Sequence, residues 1–449
     1  MKKVSRRALL VVPLSLVLIL GILLFTVSWA VNGRSWILFP GSPHVYQDGL
    51  ISYGDIVDRS GELLLRYHGQ KTYSADAALR QATLHLLGDR SGNIPALFTE
   101  EYTQYMTGYD TVEGLYGVEQ PVLKLTVSAS VQKAAMEAMD GRKGAVAVYN
   151  YKTGQILCAV SLPTYDPDHM PDISADLTGA YDGVYVNRVF HATYVPGSIF
   201  KLVTTVAALE TVPDILERTY TCQGEMHFGI DKVVCAGEHD RVDLKTALAK
   251  SCNCAFAQIA LDVGAENLQI YAEKLGLTES FRFDGITTRA GQFDLSVDAD
   301  VNVAWAGIGQ YTNLVSPYAF LRFVGSIAGG GRGAEPYLVE SAGSYSAQQR
   351  FTPEFMSPQT ARTMQELMAN NVQTIYGAYN FPDLSVCAKS GTAEVGGGLQ
   401  PHATFAGFCL REDYPLAFFV AVENGGAGSA VCTPIVSRVL QACMESMEK

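Results

Sequence analysis

Ala8 to Val31 is a run of twenty-four residues without a charge. A run this long has few places to go. At about 1.5 Å per residue, a helix of that length spans a hydrocarbon core of roughly 30 Å. Lys2, Lys3, Arg6 and Arg7 precede it, and a basic flank ahead of an apolar span predicts an amino terminus kept in the cytoplasm and an exported remainder. A cleaved signal peptide is the competing reading, with Ser28-Trp29-Ala30 as its small-x-small site. The run is long for a signal's apolar region, which favours an uncleaved anchor. The expected organisation is a cytoplasmic tail at 1–7, a transmembrane anchor at 8–31, a short mixed module or linker at 32–120 and a folded domain at 121–449.

The 449 residues are 48% hydrophobic, enough for a large core, and the formal net charge is −12. Beyond the first residues no long basic run occurs, so nucleic-acid binding is not expected. Nine cysteines are an odd number. Cys222 and Cys235 flank a short polar, Gly-containing segment and are the expected disulfide pair if the exported part is oxidised. Cys158, Cys387 and Cys409 sit in apolar runs and read as small buried hydrophobes. Cys252 and Cys254 form a Cys-x-Cys, but no second pair stands at zinc spacing, and His227 and His239 lie among acidic residues in what reads as a solvated excursion. No metal is expected.

Turn signals occur at Gly41-Ser42-Pro43 and at Asp89 to Asn93, and Asp58 to Glu62 reads as a hairpin turn between apolar strands. From Val122 the texture changes. Leu123 to Val127 reads as a strand, Val131 to Met139 as a helix, and Gly144 to Tyr151 with Gln155 to Ser161 as a buried hairpin. A second strand pair is expected at Ala403 to Leu410 and Pro415 to Glu423, and an amphipathic stretch at Pro434 to Met447. Strands near both ends with helices between them predict an α+β domain whose antiparallel sheet is assembled from distant segments.

Inside this domain, Ser198-Ile199-Phe200-Lys201 opens a strongly apolar helix. Positions three apart are neighbours on a helix, so a hydroxyl and an amine share one face. An amine in so apolar a run loses solvation and becomes able to take a proton from serine. A snorkelling lysine beside an N-cap serine is the bland alternative. Two later motifs bear on the choice. Ser251-Cys252-Asn253 follows a helix-like run, and Lys389-Ser390-Gly391-Thr392 follows a short apolar strand. Acyl transfer uses this set: Ser198 as nucleophile, Lys201 as base, and Lys389 as the cation that keeps Lys201 neutral. Ser251 can relay a proton to the leaving amine, and Asn253 can hold a substrate amide. Gly391 lets a peptide backbone approach the strand, while Ser390 and Thr392 beside Lys389 suit a terminal carboxylate. The backbone N–H groups of Ser198 and Thr392 are the expected oxyanion hole. No cofactor is called for.

The three motifs, in this order, resemble those of penicillin-binding proteins and related serine β-lactamases. The wider pattern resembles the class B members: the hairpin at Lys143 to Leu157, Ser161 to Pro167, Asn187-Arg188 and Pro196-Gly197 before the serine, and His402 to Phe408 after the third motif. That resemblance implies a penicillin-sensitive peptidoglycan D,D-transpeptidase. Its expected partners are stem peptides ending in D-Ala-D-Ala, β-lactams as covalent inhibitors, the membrane through a single span, and a membrane glycosyltransferase of the division or elongation machinery. Two departures stand out. Tyr311 in Gly309-Gln310-Tyr311 occupies a place where relatives usually carry a second glycine, and Ser390 stands where many carry threonine. The segment before the catalytic domain is also short for the class.

A β-lactam hydrolase and a D,D-carboxypeptidase are the rival acyl-transfer readings, and a β-lactam sensor or inactive scaffold is the non-enzymatic one. Glu366 with Asn370 is the one Glu-x-x-x-Asn after the second motif, on a helix-like stretch too late in the chain for a deacylation loop. A scaffold that had lost catalysis should lack one of Ser198, Lys201, Ser251, Asn253, Lys389 or Gly391, and all six are present. His402 and Trp305 read as structural, and Tyr165 is left undecided between cleft and core.

Overall fold

The computed structural model describes residues 2–37, 39, 46–47, 50–68, 70–107, 109–110, 114–115, 121–296 and 299–448. The turn expected at Gly41-Ser42-Pro43 lies outside them. Lys2–Ile37 is one helix of 36 residues, extending beyond the expected span at both ends, and Val11–Gly33 within it is long and apolar enough to cross a membrane. Its described apolar side chains are exposed, Trp29 being half-buried; Leu14 is 73% accessible. They contribute nothing to the core.

Five antiparallel strands form the catalytic sheet, in the spatial order Val386–Ala393, His402–Cys409, Leu416–Val422, Gly144–Asn150 and Ile156–Leu162. The predicted segments thus pair across more than two hundred residues of chain. Both inner hairpins read as continuous apolar runs because the sheet is covered on both faces. Helices Ala129–Met139 and Gly428–Met447 cover one face, and helix Pro317–Ala328 covers the other. Val386–Ala393 is left as an edge strand.

A second sheet crosses the boundary expected at 120. Leu50–Val57, Leu63–His68 and Gln70–Tyr73 come from the amino-terminal module, but Val122–Leu125 lies parallel to the first of these, and Val339–Ala342 pairs with Val122–Leu125. These three strands of the module, of eight, six and four residues, are thus extended by two four-residue strands of the larger domain. One apolar cluster runs through both, from Ile56 and Leu65 to Val206 and Phe256. The hairpin turn read at Asp58 to Glu62 is present. The Asp58 carboxylate accepts from the N–H groups of Ser60 and Glu62 (2.7 and 2.9 Å) and from Ala129 (3.0 Å), fastening the turn to a helix of the catalytic domain.

Candidate active site

Ser198 lies in a short 3-10 turn, Gly197–Phe200, which passes into the α-helix Lys201–Thr211. Eight consecutive residues of that helix, from Lys201 to Ala208, are buried, so no rotation could put Lys201 in solvent. The lysine is 0% exposed. Its Nζ lies 3.1 Å from Ser198 Oγ, 2.7 Å from the Ser251 carbonyl, 3.1 Å from Ser251 Oγ and 2.7 Å from Asn253 Oδ1. The two shortest contacts are to oxygens that only accept. A neutral amine has two hydrogens for them and a lone pair left for the Ser198 hydroxyl, which is the arrangement a base requires. Burial is the main cause that holds the Lys201 pKa well below its ordinary value, and the charge of Lys389 adds to it.

Ser251 reaches this position through an unusual backbone. Helix Leu244–Ala249 ends with the Ser251 N–H on the Leu248 carbonyl (3.2 Å) and the Cys252 N–H on the Ala247 carbonyl (2.9 Å), the two bonds of a Schellman cap. Such a cap places its penultimate residue in the left-handed region, where glycine is usual. Here the residue is Ser251, with φ +54°. A left-handed non-glycine residue costs about 1–2 kcal/mol. In return, Ser251 Oγ stands between Lys201 Nζ (3.1 Å) and Lys389 Nζ (3.0 Å).

Lys389 is also 0% exposed. It donates to the Ser390 carbonyl (2.8 Å), and burial lowers its pKa to about 7. Lys389 to Thr392 lie within the edge strand Val386–Ala393, whose outer rim can take an added peptide strand. Gly391 has a role beyond the one expected of it. A Cβ at this position would stand 2.2 Å from Thr404 Oγ1 and 2.7 Å from the Pro196 carbonyl, so the missing side chain seats the strand against the nucleophile loop. A Cβ on Gly197 would likewise fall 2.7 Å from the Thr392 carbonyl. The backbones of Ser198 and Thr392, the two expected oxyanion donors, therefore converge. Thr392 Oγ1 accepts from the Gly428 N–H (3.1 Å).

Several expectations change in detail. The Asn253 carbonyl, expected to serve a substrate amide, is taken by Lys201, and its Nδ2 already donates to the Val234 carbonyl (2.8 Å). One amide hydrogen remains for a ligand. Cys222 and Cys235 are free thiols, not a bridge, and all nine cysteines are free and buried. The two do not stand alone. Together with Cys252 and His239 they form a mostly buried set whose donor atoms all lie within 4.8 Å of one another, close enough to hold a metal ion, where the sequence suggests a solvated excursion. Sequence spacing could not reveal it, because its members sit on separate strand ends and a helix cap that only the fold gathers.

Tyr376 was not anticipated. It lies on a single π-helical turn, Val372–Tyr376, and its hydroxyl accepts from the Ser390 N–H (2.9 Å) and pairs with Ser390 Oγ (3.0 Å). No local pattern marks it. Tyr165, undecided from sequence, is buried and donates to the Asp89 carboxylate (3.0 Å) within a small apolar cluster. His402 Nδ1 accepts from the Asn424 N–H (3.0 Å) and its ring meets Tyr194 edge-on, a structural role. Glu366 is exposed on helix Pro358–Asn371. Tyr311, where relatives usually have glycine, adopts φ +68°; its backbone keeps the left-handed conformation that glycine adopts freely.

A serine, two buried lysines and a second serine between them, under the free edge of an antiparallel sheet, define a serine acyl-transfer protein of the penicillin-recognising kind. Comparison with known proteins agrees. Residues 144–441 match the model of the penicillin binding protein transpeptidase domain. The peptidoglycan D,D-transpeptidase PbpA of Mycobacterium tuberculosis is 30% identical over 395 residues, covering 79% of this chain and 77% of that protein. Stage V sporulation protein D of Bacillus subtilis is 25% identical over 414 residues, 86% of this chain and 60% of that protein. Among solved structures, the penicillin G acyl-enzyme complex of penicillin-binding protein A from M. tuberculosis superposes with TM-score 0.73 at 25% identity, covering 87% of this chain and 99% of that one. The D,D-transpeptidase domain of a peptidoglycan glycosyltransferase from Eggerthella lenta gives 0.74 at 26%, covering 88% and 98%. The chain belongs to the penicillin-binding-protein transpeptidase family and is of class B type.

Proposed function

We propose that this chain cross-links peptidoglycan stem peptides through an acyl-enzyme on Ser198. The observation that carries the reading is Ser251 Oγ, 3.1 Å from Lys201 Nζ and 3.0 Å from Lys389 Nζ, with Ser198 Oγ 3.1 Å from the same Lys201 nitrogen. These contacts supply a continuous proton path. Lys201 takes the Ser198 proton as Oγ attacks the carbonyl between the two terminal D-alanines, and the oxyanion is held by the Ser198 and Thr392 N–H groups. The tetrahedral intermediate then collapses. The C–N bond breaks, the proton passes through Ser251 to the departing amine, and free D-alanine leaves. The amine of a second stem peptide attacks the ester, loses a proton to the regenerated base, and releases Ser198. Lys389, Ser390 and Thr392 receive the donor's terminal carboxylate, and the donor backbone adds to the strand edge at Gly391. β-Lactams present the same carbonyl and carboxylate to the same groups.

The apolar helix is read as a single membrane anchor, with the amino terminus cytoplasmic and the catalytic domain outside. A membrane glycosyltransferase that makes the glycan strand is the partner this topology suits. Labelling the full chain with fluorescent penicillin, followed by peptide mass mapping, tests the reading. The label is expected on Ser198; folded protein labelled elsewhere, or not at all, overturns it.

A further inference from the structure

The cluster beside the second motif has the dimensions of a metal site. Tetrahedral zinc with Zn–S of about 2.3 Å and Zn–N of about 2.0–2.1 Å sets its sulfur ligands roughly 3.8 Å apart and sulfur from nitrogen roughly 3.5 Å. Here Cys235 Sγ stands 3.8 Å from Cys252 Sγ, and His239 Nδ1 stands 3.5 Å from Cys235 Sγ and 3.6 Å from Cys222 Sγ. A disulfide would need sulfurs at about 2.05 Å. Three sulfurs and one imidazole nitrogen are the donor types zinc prefers in closed structural sites.

The surroundings suit bound thiolates. The Asn253 N–H donates to Cys235 Sγ (3.3 Å) and the Ala255 N–H to Cys252 Sγ (3.4 Å). N–H donors of this kind orient metal ligands and tune their charge. Cys252 also caps the amino end of helix Asn253–Val263, where the helix dipole favours an anion. The fold has gathered these residues from separate places. Cys222 ends strand Thr219–Cys222, Cys235 follows strand Asp231–Val234, and His239 precedes strand Asp240–Asp243, its N–H on the Cys222 carbonyl (3.2 Å). The four short strands here form two separate two-stranded ribbons, which have little core of their own.

We propose that Cys222, Cys235, His239 and Cys252 bind one zinc ion, and that this ion fixes the second catalytic motif. The link to catalysis is covalent and short. Cys252 lies between Ser251 and Asn253, both partners of Lys201 Nζ. The Asn253 amide is held from the other side by the carbonyl of Val234, the residue before Cys235. Holding both cysteines therefore holds the left-handed Ser251 and the Asn253 carbonyl against the base. In an exported domain, metal ligation also keeps these thiols from pairing as a disulfide.

The test uses the full chain purified in detergent without chelator. Elemental analysis is expected to find one zinc per chain, and cobalt(II) exchanged into the protein should show thiolate-to-metal charge-transfer bands and tetrahedral d–d absorption. Cys222→Ser and His239→Ala should weaken metal retention by more than the roughly 10–100-fold that losing an outer-shell partner costs. His239→Cys should retain the metal with an altered cobalt spectrum, which separates ligand loss from misfolding. Cys254→Ser, beside the set, should retain both metal and penicillin acylation. Stripping zinc should slow acylation at least tenfold, and zinc added back should restore it. A Cys222–Cys235 disulfide in non-reducing mass maps with no metal bound overturns the site. So does stoichiometric metal in a Cys222→Ser, His239→Ala double variant, or metal loss in Cys254→Ser. Acylation unchanged by stripping overturns the fixing role. Metal content is read independently of acylation, so failure of the transpeptidase reading would not be mistaken for failure of the site.

Discussion

The two walls of the cleft each present a fully buried lysine, and they use it differently. On the helical wall, Lys201 Nζ is surrounded by four oxygens from three residues, two of which only accept. On the sheet wall, Lys389 Nζ has two oxygen contacts, a hydroxyl and a carbonyl, and faces the strand rim where a substrate carboxylate would arrive. Burial lowers both pKa values, but only Lys201 is also pushed down by a neighbouring cation. Residue type and burial are therefore the same on the two walls. The count and kind of oxygens around each nitrogen suit the proposed base on one wall and the proposed carboxylate anchor on the other.

The hardest blow to this contrast is on the helical wall. Lys201→Met should lower penicillin acylation by about 10³-fold or more, within the range for losing a positioned base, while circular dichroism and melting stay native. Retained acylation would remove Lys201 as the base. On the sheet wall, Lys389→Met should cost about 10²-fold, the scale of one lost charge-stabilising donor. It should also change the pH profile. In the wild type, acylation is expected to fall toward acid as Lys201 becomes protonated and to fall toward alkali as Lys389 loses its charge, from about 7 upward in the free enzyme. Removing the Lys389 cation raises the Lys201 pKa, so the acid limb of the variant should move to higher pH. Acylation rates measured across pH check the sign; an unmoved limb would mean the two lysines do not communicate.

Smaller effects sharpen the comparison. Tyr376→Phe deprives the Ser390 N–H of its acceptor, a loss of about 1–3 kcal/mol in a buried setting. Roughly tenfold in kcat/KM is expected, mostly through KM for carboxylate-bearing substrates, and an effect confined to kcat would contradict a positioning role. Ser251→Gly and Ser251→Ala both remove the shared hydroxyl, so both should be similarly slow. They should differ in stability, with the glycine variant more stable by about 1 kcal/mol and so melting higher, because it relieves the left-handed backbone at φ +54°. Equal melting temperatures would show that the cap carries no strain.

Much of this site is legible in the sequence. Ser198 and Lys201 are local in sequence, and helical geometry alone puts them on one face. Gly144 to Tyr151 and Ala403 to Leu410 read as strands because a sheet covered on both faces demands unbroken apolar runs. The apolar run at Ala8 to Val31 needed nothing beyond its length and lack of charge. Even the long-range order of the three motifs was readable, since each carries its own residue types. What the chain could not disclose are relations between groups that become neighbours only after folding. Tyr376 reaches Ser390 through a π-turn, and Asn253 turns its carbonyl inward to Lys201 and away from substrate. The module before residue 120 completes its sheet with Val122–Leu125 and Val339–Ala342. Cys222 and Cys235 were read as a pair because spacing along a chain suggests pairs. The folded chain brings Cys252 and His239 within a few ångströms of them, so the expected pair becomes part of a set of four. Local periodicity and residue chemistry are properties of the chain; the partners of a buried polar atom belong to the fold, because burial forces each such atom to find whatever the packing has brought near.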